Sequence, residues 1–377
     1  MAGFKIIDDF IAVESSCHSF FILEKSNLLK ESPPLMLKIF MKILIVTQKV
    51  DENNDVLGFF HEWIREFAIY CKQITVICLQ KGEFDLPSNV KVLSLGKEVK
   101  QSRLKYVFNF FRYVWSERKQ YDFVFVHMNP EYVILGGILW KILNKKIIFW
   151  YTHKTVGLKL RISEKLADKI FTASEKSFRL NSKKVEIIGH GINTKNFIPA
   201  IYEPDGNVIL SVGRISPTKR QIEIIKIFRD VLTSAPDCKL YIVGSPILEI
   251  DKRYEKNLKN YVKKNDLDER IVFFGSVANK KMPNIFQQSK VLINLSMTGS
   301  LDKDVLEAMS CNVHIVTTNE AFKNVLPDKN TANDFAEIKN KILYFLKQPR
   351  YDVYRTIILE QHSLSNLVKK IISKLSK

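Results

Sequence analysis

The stretch from 291 to 318 combines a turn of small residues with a carboxylate on the helix that follows it. The apolar run at 291–295 predicts a buried parallel strand, and Thr298, Gly299 and Ser300 end it where a ligand can approach the backbone. The N-terminus of the next helix offers free N–H groups and a partial positive charge, which suit a phosphate. Glu307 on that helix could accept hydrogen bonds from sugar hydroxyls. Alternatively, it only complements the helix dipole, for about 0.3–1 kcal/mol.

A second strand–turn–helix stretch carries two cations. The apolar run at 208–212 predicts another buried strand, and Gly213, Arg214 and Lys219 follow it before a helix that begins near Gln221. Each charge-assisted bond from Arg or Lys to a phosphate oxygen contributes about 1.5–3 kcal/mol. Ligands of open parallel sheets bind at the carboxyl ends of the strands, where both turns would lie. The two stretches together indicate a site for a sugar linked to a nucleoside diphosphate.

Further apolar runs predict the elements that would position these turns. They lie at 42–46, 74–79, 90–95, 123–128 and 147–151 in the first half, and at 208–212, 239–243, 271–274 and 291–295 in the second. Predicted strands alternate with helices in both halves, which is typical of an α/β protein. His153 comes just after one strand, at the edge where ligands bind. His127 ends another strand, and we expect it to be a packed core residue.

Composition limits the class of protein and of partner. The chain has 377 residues, enough for two domains, and Lys plus Arg exceed Asp plus Glu by 18. This charge predicts an anionic partner, which could be a membrane surface, a nucleic acid or a phosphorylated substrate; alternatively, much of it is a solvated lysine-rich surface. The five cysteines are scattered without a CxxC pair or a His/Cys cluster, which favours reduced thiols in the cytosol and no metal site. The sequence shows no apolar run long enough to span a bilayer.

Two segments together resemble a known enzyme family. GRISPTKR at 213–220 and LDKDVLEAMSC at 301–311 are similar to the donor-binding half of the retaining GT-B glycosyltransferases of group 1, also called glycosyltransferase family 4. The resemblance extends from about Met41 to the C-terminus. It implies an α/β fold of the GT-B type, with two Rossmann-like doubly wound domains facing an interdomain cleft. It also implies that Arg214 and Lys219 bind the donor diphosphate and act in catalysis. Glu307 would hold the ribose.

The same resemblance assigns further positions around the cleft. Gly58 would lie in a loop close to the donor, where the family often carries paired glycines. His153 would contact the transferring sugar or the acceptor and is the third residue predicted to act in catalysis. Val277 would lie beside the nucleotide base. The remaining predicted donor-binding residues belong to the two turns: Gly213, Gly299, Ser300, Leu301 and Asp302.

One position departs from the family pattern. Gly299 stands where an acidic residue usually contacts the donor sugar. Asp302 could replace this carboxylate from nearby, or turn amides could hold the sugar, or activity could be lost. Because Arg214, Lys219 and Glu307 are all present, we expect an active enzyme.

The chain divides into four predicted parts. Residues 1–40 do not fit the fold pattern, and we expect a poorly ordered extension or an upstream mis-start before Met41. The segment 41–197 is predicted to be the acceptor-binding domain, and 198–350 the nucleotide-sugar-binding domain. In GT-B proteins the chain end typically crosses back onto the first domain, which is the role expected for the basic helical segment 351–377.

The segment 97–119 predicts a helix that is both aromatic and basic. Apolar residues recur at helical spacing: Leu104, Val107, Phe108, Phe111 and Trp115. Seven Lys or Arg residues lie in the same segment. The helix could rest on an anionic membrane, or it could pack its apolar side into the core. We expect core packing for the apolar side.

The predicted function is transfer of a hexose from a nucleotide diphosphate sugar to a glycan or lipid-linked acceptor, with retention of configuration. No cofactor and no metal are expected, because Arg214 and Lys219 supply the positive charge. The protein is expected in the cytoplasm, either free or at the inner face of the membrane, without a nucleic-acid partner. The alternatives are a GT-B sugar-nucleotide epimerase or phosphorylase, or a non-catalytic basic protein of the same fold that binds membranes or nucleic acid.

Overall fold

A computed structural model describes residues 41–375, so the predicted extension at 1–40 lies outside the described residues. The first sheet has seven parallel strands in the order β3-β2-β1-β4-β5-β6-β7. Its strands are β1 (Lys42–Val50), β2 (Gln73–Lys81), β3 (Val90–Ser94), β4 (Phe123–His127), β5 (Lys146–Trp150), β6 (Lys169–Thr172) and β7 (Val185–Ile187). Its helices are α1 (Gly58–Tyr70), α2 (Arg103–Ser116), α3 (Pro130–Ile142) and α4 (Leu158–Leu166).

The second sheet has five parallel strands in the order β10-β9-β8-β11-β12. They are β8 (Val208–Val212), β9 (Lys239–Val243), β10 (Ile271–Gly275), β11 (Val291–Asn294) and β12 (His314–Thr317). The helices of this half are α5 (Gln221–Leu232), α6 (Glu249–Lys264), α7 (Met282–Gln288), α8 (Lys303–Ser310) and α9 (Phe335–Leu346). Two further helices end the described chain, α10 (Val353–Ile357) and α11 (Leu364–Leu375).

Both sheets are doubly wound, which confirms the predicted α/β class. In each sheet the first strand in sequence lies inside, with later strands added on both sides. The direction of winding therefore reverses between β1 and β4 and again between β8 and β11. Ligands of such sheets bind at the carboxyl ends of the strands beside this reversal. The turn that carries the predicted diphosphate-binding residues follows β8 directly, and the turn after β11 leads into α8, which carries the predicted ribose-binding residue Glu307.

The chain end packs against the first domain. Leu367 and Ile371 of α11 belong to the same buried cluster as Phe67 of α1. Leu364 N donates to Ile192 O, and Ile192 N donates to His362 O, so backbone hydrogen bonds fix this return. The last helix therefore joins the first domain, although it follows the second domain in the sequence.

Helix α2 corrects the expectation that its apolar side packs into the core. Phe110, Val114 and Asn109 face the sheet, whereas Leu104 is 83% exposed and Phe108 is 58% exposed. The helix carries apolar residues on two opposite sides, and periodicity alone did not show which side covers the sheet. The apolar side singled out in the sequence faces outward. Within residues 41–375, no helix is long and apolar enough to cross a membrane.

Candidate functional site

The turns after β8 and β9 pack backbone against backbone. Gly213 and Gly244 both have φ of +135°, a conformation that side chains disfavour. A Cβ on Gly244 would lie 2.1 Å from Gly213 O, so a larger residue there would force the two turns apart. This contact fixes the path of the chain as it leaves β8. The turns after the neighbouring strands β8 and β11 are also joined, because Met297 N donates to Thr218 O at 3.2 Å.

Lys219 folds back over the turn that follows β8. Its Cε lies 3.1 Å from the position that a Cβ on Gly213 would occupy, so the absence of a side chain at 213 gives the lysine room. Its Nζ donates to Asp302 Oδ1 at 3.0 Å, and the two side chains are only 15% and 9% exposed. The ammonium group is therefore held between the two turns predicted to bind the donor.

Asp302 is the acceptor at the centre of a polar network. Its Oδ1 also accepts from Thr298 Oγ1 at 3.2 Å, and its Oδ2 accepts from Asn294 Nδ2 at 3.0 Å and Asn319 Nδ2 at 3.4 Å. The carboxylate is thus directed at Lys219 and at polar groups of its own domain. In this structure it is the counter-ion of Lys219.

Arg214 is held more loosely than Lys219. Its side chain is 41% exposed, and its Nε lies 3.8 Å from Asp251 Oδ2. Its carbonyl oxygen accepts from Gln221 Nε2 at 3.0 Å, which ties the turn to the start of α5. The backbone at 214 is fixed while the guanidinium group remains accessible to an anion.

Glu307 is buried in α8 with 2% of its side chain exposed. Its Oε1 accepts from Asn279 Nδ2 at 2.8 Å and from Lys303 Nζ, one helical turn earlier. A buried carboxylate with two donors is far more constrained than one that only complements a helix dipole. Glu307 can offer its other oxygen to a hydroxyl group while these donors hold it in place.

Lys303 connects Glu307 to the first domain. Its Nζ lies 4.7 Å from the ring centre of Phe59 on α1 and 5.7 Å from that of Phe197. Burial disfavours the charged ammonium, the nearby Asp304 carboxylate favours it, and the net effect lowers the pKa of Lys303 to about 7. The ammonium thus lies between an acidic side chain of one domain and an aromatic ring of the other.

The turn after β11 faces the other domain at Gly299. Gly299 has φ of +65°, and a Cβ there would lie 3.7 Å from Arg179 Nη2 of the first domain. Ser300 O accepts from Asn319 Nδ2 at 2.9 Å. The side chain of Leu301 is buried in the core, so only its backbone can contact a ligand. A cation therefore approaches the position where the family usually carries an acid.

The loop between β1 and α1 reaches across the cleft. Glu52 Oε1 accepts from Lys280 Nζ at 3.2 Å, and Asp55 accepts from Ser276 Oγ. Gly58 begins α1, and a Cβ there would lie 3.1 Å from Glu52 O. The loop thereby contacts the turn after β10, which contains Val277 and leads to Asn279.

Two histidines lie at or after the ends of strands in the first sheet, with different surroundings. His153 is exposed after β5, and its Nδ1 accepts from Thr155 N at 3.3 Å. Its neighbour Lys154 places Nζ 3.5 Å from Met297 O, so this segment meets the turn after β11. His127 is buried, stacks on Phe60 with ring centres 3.8 Å apart, and has its pKa lowered to about 3 by burial. His127 is therefore a neutral packing residue.

The structure brings most of the predicted residues to one cleft and adds others. Lys219, Asp302, Gly299 and Ser300 form connected turns, and Glu307 follows on α8. Four side chains of the cleft were not predicted from the sequence: Arg179, Lys154, Asn279 and Lys303. Lys303 could have been found, because residues four apart on a helix lie on the same side. The other three come from distant segments and gave no signal.

The cleft has the chemistry of a site for an anion joined to a sugar. Arg214, Lys219 and Arg179 supply positive charge, and Glu307 supplies a fixed acceptor. Among the described residues, no group of three or more His, Cys, Asp or Glu side chains could hold a metal ion.

Comparison with known proteins identifies the family of the second domain. The family model described as "Glycosyl transferases group 1" matches residues 194–354. A yeast relative, the GPI3 subunit of phosphatidylinositol N-acetylglucosaminyltransferase from Saccharomyces cerevisiae, is 26% identical over 156 residues. That match covers 39% of this chain and only 33% of the yeast protein.

A bacterial relative matches over a greater length. The UDP-Gal:alpha-D-GlcNAc-diphosphoundecaprenol alpha-1,3-galactosyltransferase of Escherichia coli is 23% identical over 317 residues, which cover 72% of this chain and 78% of that enzyme. This alignment is too long to lie within the second domain alone.

Solved structures share the fold across both domains. HepE from Anabaena, crystallised with UDP and glucose, superposes with a TM-score of 0.70 at 17% identity and covers 90% of this chain and 100% of its own. WaaG, a glycosyltransferase involved in lipopolysaccharide biosynthesis, superposes with a TM-score of 0.62 at 11% identity. The superposition covers 89% of this chain and 99% of WaaG. The GT-B arrangement predicted from the sequence is thus confirmed. Residues 194–354, which include the strand–turn–helix segments of the cleft, thus match the group 1 glycosyltransferases, and both domains share the GT-B fold.

Proposed function

We propose that this protein transfers a hexose from a nucleotide diphosphate sugar to a glycan or lipid-linked acceptor, with retention of configuration. The observation that carries the proposal is the position of Lys219 and Glu307 on the turn and helix that follow two adjacent strands, β8 and β11. A cation and a fixed carboxylate at one sheet edge suit the diphosphate and the ribose of one donor. Retention is supported by the family resemblance.

In the proposed reaction the cations act on the leaving group. Bond cleavage at the anomeric carbon places negative charge on the departing diphosphate. Lys219 and Arg214 would stabilise this charge, and contacts of the two domains across the cleft would keep water out. The diphosphate would replace Asp302 as the principal partner of the Lys219 ammonium. No cofactor or metal enters this proposal.

The lipid-linked acceptor is supported by the relatives. The Escherichia coli relative acts on a sugar carried by diphosphoundecaprenol, and the yeast relative is a subunit of an enzyme named for phosphatidylinositol. His153 and Lys154, exposed on the first domain beside the turn after β11, are the residues proposed to meet the acceptor or the transferring sugar. A cytoplasmic location is proposed because the four described cysteines are unpaired thiols.

Nucleotide binding tests the site before the acceptor is known. UDP, GDP, ADP and their common sugar conjugates would be titrated into wild type, Lys219→Ala and the matched control Lys226→Ala, whose lysine is exposed on α5. We expect one nucleotide sugar to bind wild type and the control equally, and Lys219→Ala about 10- to 100-fold more weakly. Equal binding to all three proteins would overturn the assignment of Lys219.

Incubation with the donor alone, and then with donor and acceptor together, distinguishes a transferase from an epimerase. With the selected donor alone, a transferase leaves the sugar nucleotide unchanged apart from slow hydrolysis, whereas an epimerase converts it. With lipid extract added, a transferase yields a labelled lipid and free nucleoside diphosphate. Conversion of the donor without acceptor would contradict the proposal.

A further inference from the structure

The side of α2 that faces away from the sheet is apolar along its length. We call the surface formed by Leu104, Val107, Phe108, Phe111 and Trp115 the outer face of α2. Trp115 is 53% exposed, and no described residue of the chain covers this face. Contiguous exposed apolar surface of this kind marks an interaction site.

Positive charge borders the outer face of α2 on both sides. At about 100° per residue, Lys105 and Arg112 lie on one border and Arg103 on the other. Lys105 Nζ lies 5.0 Å from the ring centre of Phe108, and the Arg118 guanidinium lies 4.4 Å from that of Trp115. Rings in the middle with cations at the border are typical of helices that lie in a membrane interface.

The two acidic residues of this region are outnumbered by cations and are held by neighbouring groups. Residues 97–119 contain seven Lys or Arg and two Glu. Glu117 accepts from Lys91 Nζ at 2.8 Å, and Glu98 accepts from Ser94 Oγ at 2.7 Å and from Lys81 N at 3.3 Å. Both carboxylates are therefore engaged with neighbours of the sheet side.

A cavity opens beside the cationic border. It has a volume of about 430 Å³, and its lining includes Lys81, Lys105 and Arg112 together with Glu98. Asn109 also lines it, and this side chain is only 4% exposed. Its Nδ2 donates to Leu95 O and Gln101 Oε1, whereas its Oδ1 has no hydrogen-bond partner in the part of the chain that the structure describes.

We propose that the outer face of α2 docks on a membrane surface rich in anionic lipid, with a phosphate-bearing head group in the cavity beside it. The apolar rings enter the interface, and Lys105 and Arg112 meet the phosphate. Asn109 Oδ1 accepts from a head-group hydroxyl. A nucleic acid would meet cations at the centre of its binding surface, whereas here the centre is apolar. The inference stands apart from the proposed transfer reaction and needs no donor.

Vesicle binding tests the apolar part of the proposal. The full chain would be sedimented with vesicles of phosphatidylcholine alone and with vesicles that also contain phosphatidylglycerol. We expect binding to the second kind only, and at least tenfold weaker binding for the combined variant Leu104→Ser, Phe108→Ser and Trp115→Ser. The control Ile201→Ser and Tyr202→Ser removes exposed apolar residues from the segment before β8 and should bind as wild type.

Matched charge variants test the cavity. Removing two cations at the cavity by Lys105→Gln and Arg112→Gln should weaken binding about 25-fold, at roughly fivefold per charge. Lys256→Gln and Lys263→Gln remove the same charge from exposed positions on α6 in the second domain and should change binding little. Equal weakening by both double variants would overturn the proposed role of the cavity, because net charge alone would then explain the binding.

Two further outcomes would overturn the docking surface itself. One is wild type that fails to sediment with the anionic vesicles. The other is a dimer, detected by light scattering, that dissociates in the combined serine variant, since a second copy would then cover the outer face of α2. The single variant Leu104→Ser, at the most exposed of these positions, provides a measurement if the combined variant does not fold.

Discussion

Lys219 donates to Asp302 across the two turns that end β8 and β11, with Nζ 3.0 Å from Oδ1. The pair joins the cation predicted to bind the diphosphate to a carboxylate, and that carboxylate would repel the diphosphate. Three further donors hold the Asp302 carboxylate in place. Asp302 thus keeps Lys219 positioned and partly neutralised until an anion takes its place.

Replacing Asp302 tests this competition. Asp302→Asn keeps the shape of the side chain and removes its charge, so we expect nucleoside diphosphates to bind a few-fold more tightly. The free energy of unfolding should fall by about 1–3 kcal/mol, because the largely buried Lys219 loses its counter-ion. Calorimetric titration and urea denaturation measure the two effects. Unchanged affinity would show that Asp302 does not compete with the diphosphate.

Glu307 is expected to accept hydrogen bonds from the ribose. In wild type, the 2′-deoxy form of the preferred nucleoside diphosphate should bind about 5- to 30-fold more weakly than the ribose form. Glu307→Gln should bind the two forms nearly equally, because the fixed acceptor is lost. A double-mutant cycle of enzyme and ligand isolates this contact from general disturbance of α8. An undiminished preference for ribose in Glu307→Gln would exclude the assigned role.

Lys303 should make stability depend on pH. Its pKa is lowered to about 7 in the folded protein, whereas an unfolded lysine titrates near 10.5. Between these two pKa values the unfolded state binds more protons, so the free energy of unfolding rises with pH above about 7. Below pH 7 the folded protein bears the full cost of burying the charged lysine. We expect wild type to gain about 1–2 kcal/mol of unfolding free energy between pH 7 and pH 9 relative to Lys303→Met. Parallel pH dependence in the two proteins would mean that Lys303 keeps an ordinary pKa.

The sequence predicted the parts of the site that follow from local patterns. Strand, turn and helix in succession located Lys219 and Glu307 correctly at the edge where β8 and β11 end. The direction in which a side chain points, and its contacts with distant segments, could not be predicted in this way. Whether Asp302 faces the sugar or Lys219 depends on Asn294, Thr298 and Asn319, and this arrangement appears only when the turn is folded.

Residues from the other domain were also beyond the reach of sequence patterns. Arg179 comes near Gly299, and Phe59 contacts Lys303, only because the two domains face each other across the cleft. The outer face of α2 was recognised as apolar but expected in the core. A helix that is apolar on two sides does not reveal which side the sheet covers, and Phe110 and Val114 sufficed to cover it.

The central claim is that Lys219 stabilises the diphosphate that leaves the donor. Its most direct test is the steady-state rate of sugar transfer from the preferred nucleotide sugar to the lipid acceptor. We expect Lys219→Ala to lower kcat by about 10²–10³-fold, while Lys226→Ala stays at the wild-type rate. Lys219→Ala should lose about 1–3 kcal/mol of unfolding free energy because Asp302 loses its counter-ion, and it should still be folded in the assay, as urea denaturation would check. A wild-type kcat in Lys219→Ala would contradict the account, because the leaving diphosphate would then be stabilised by other groups.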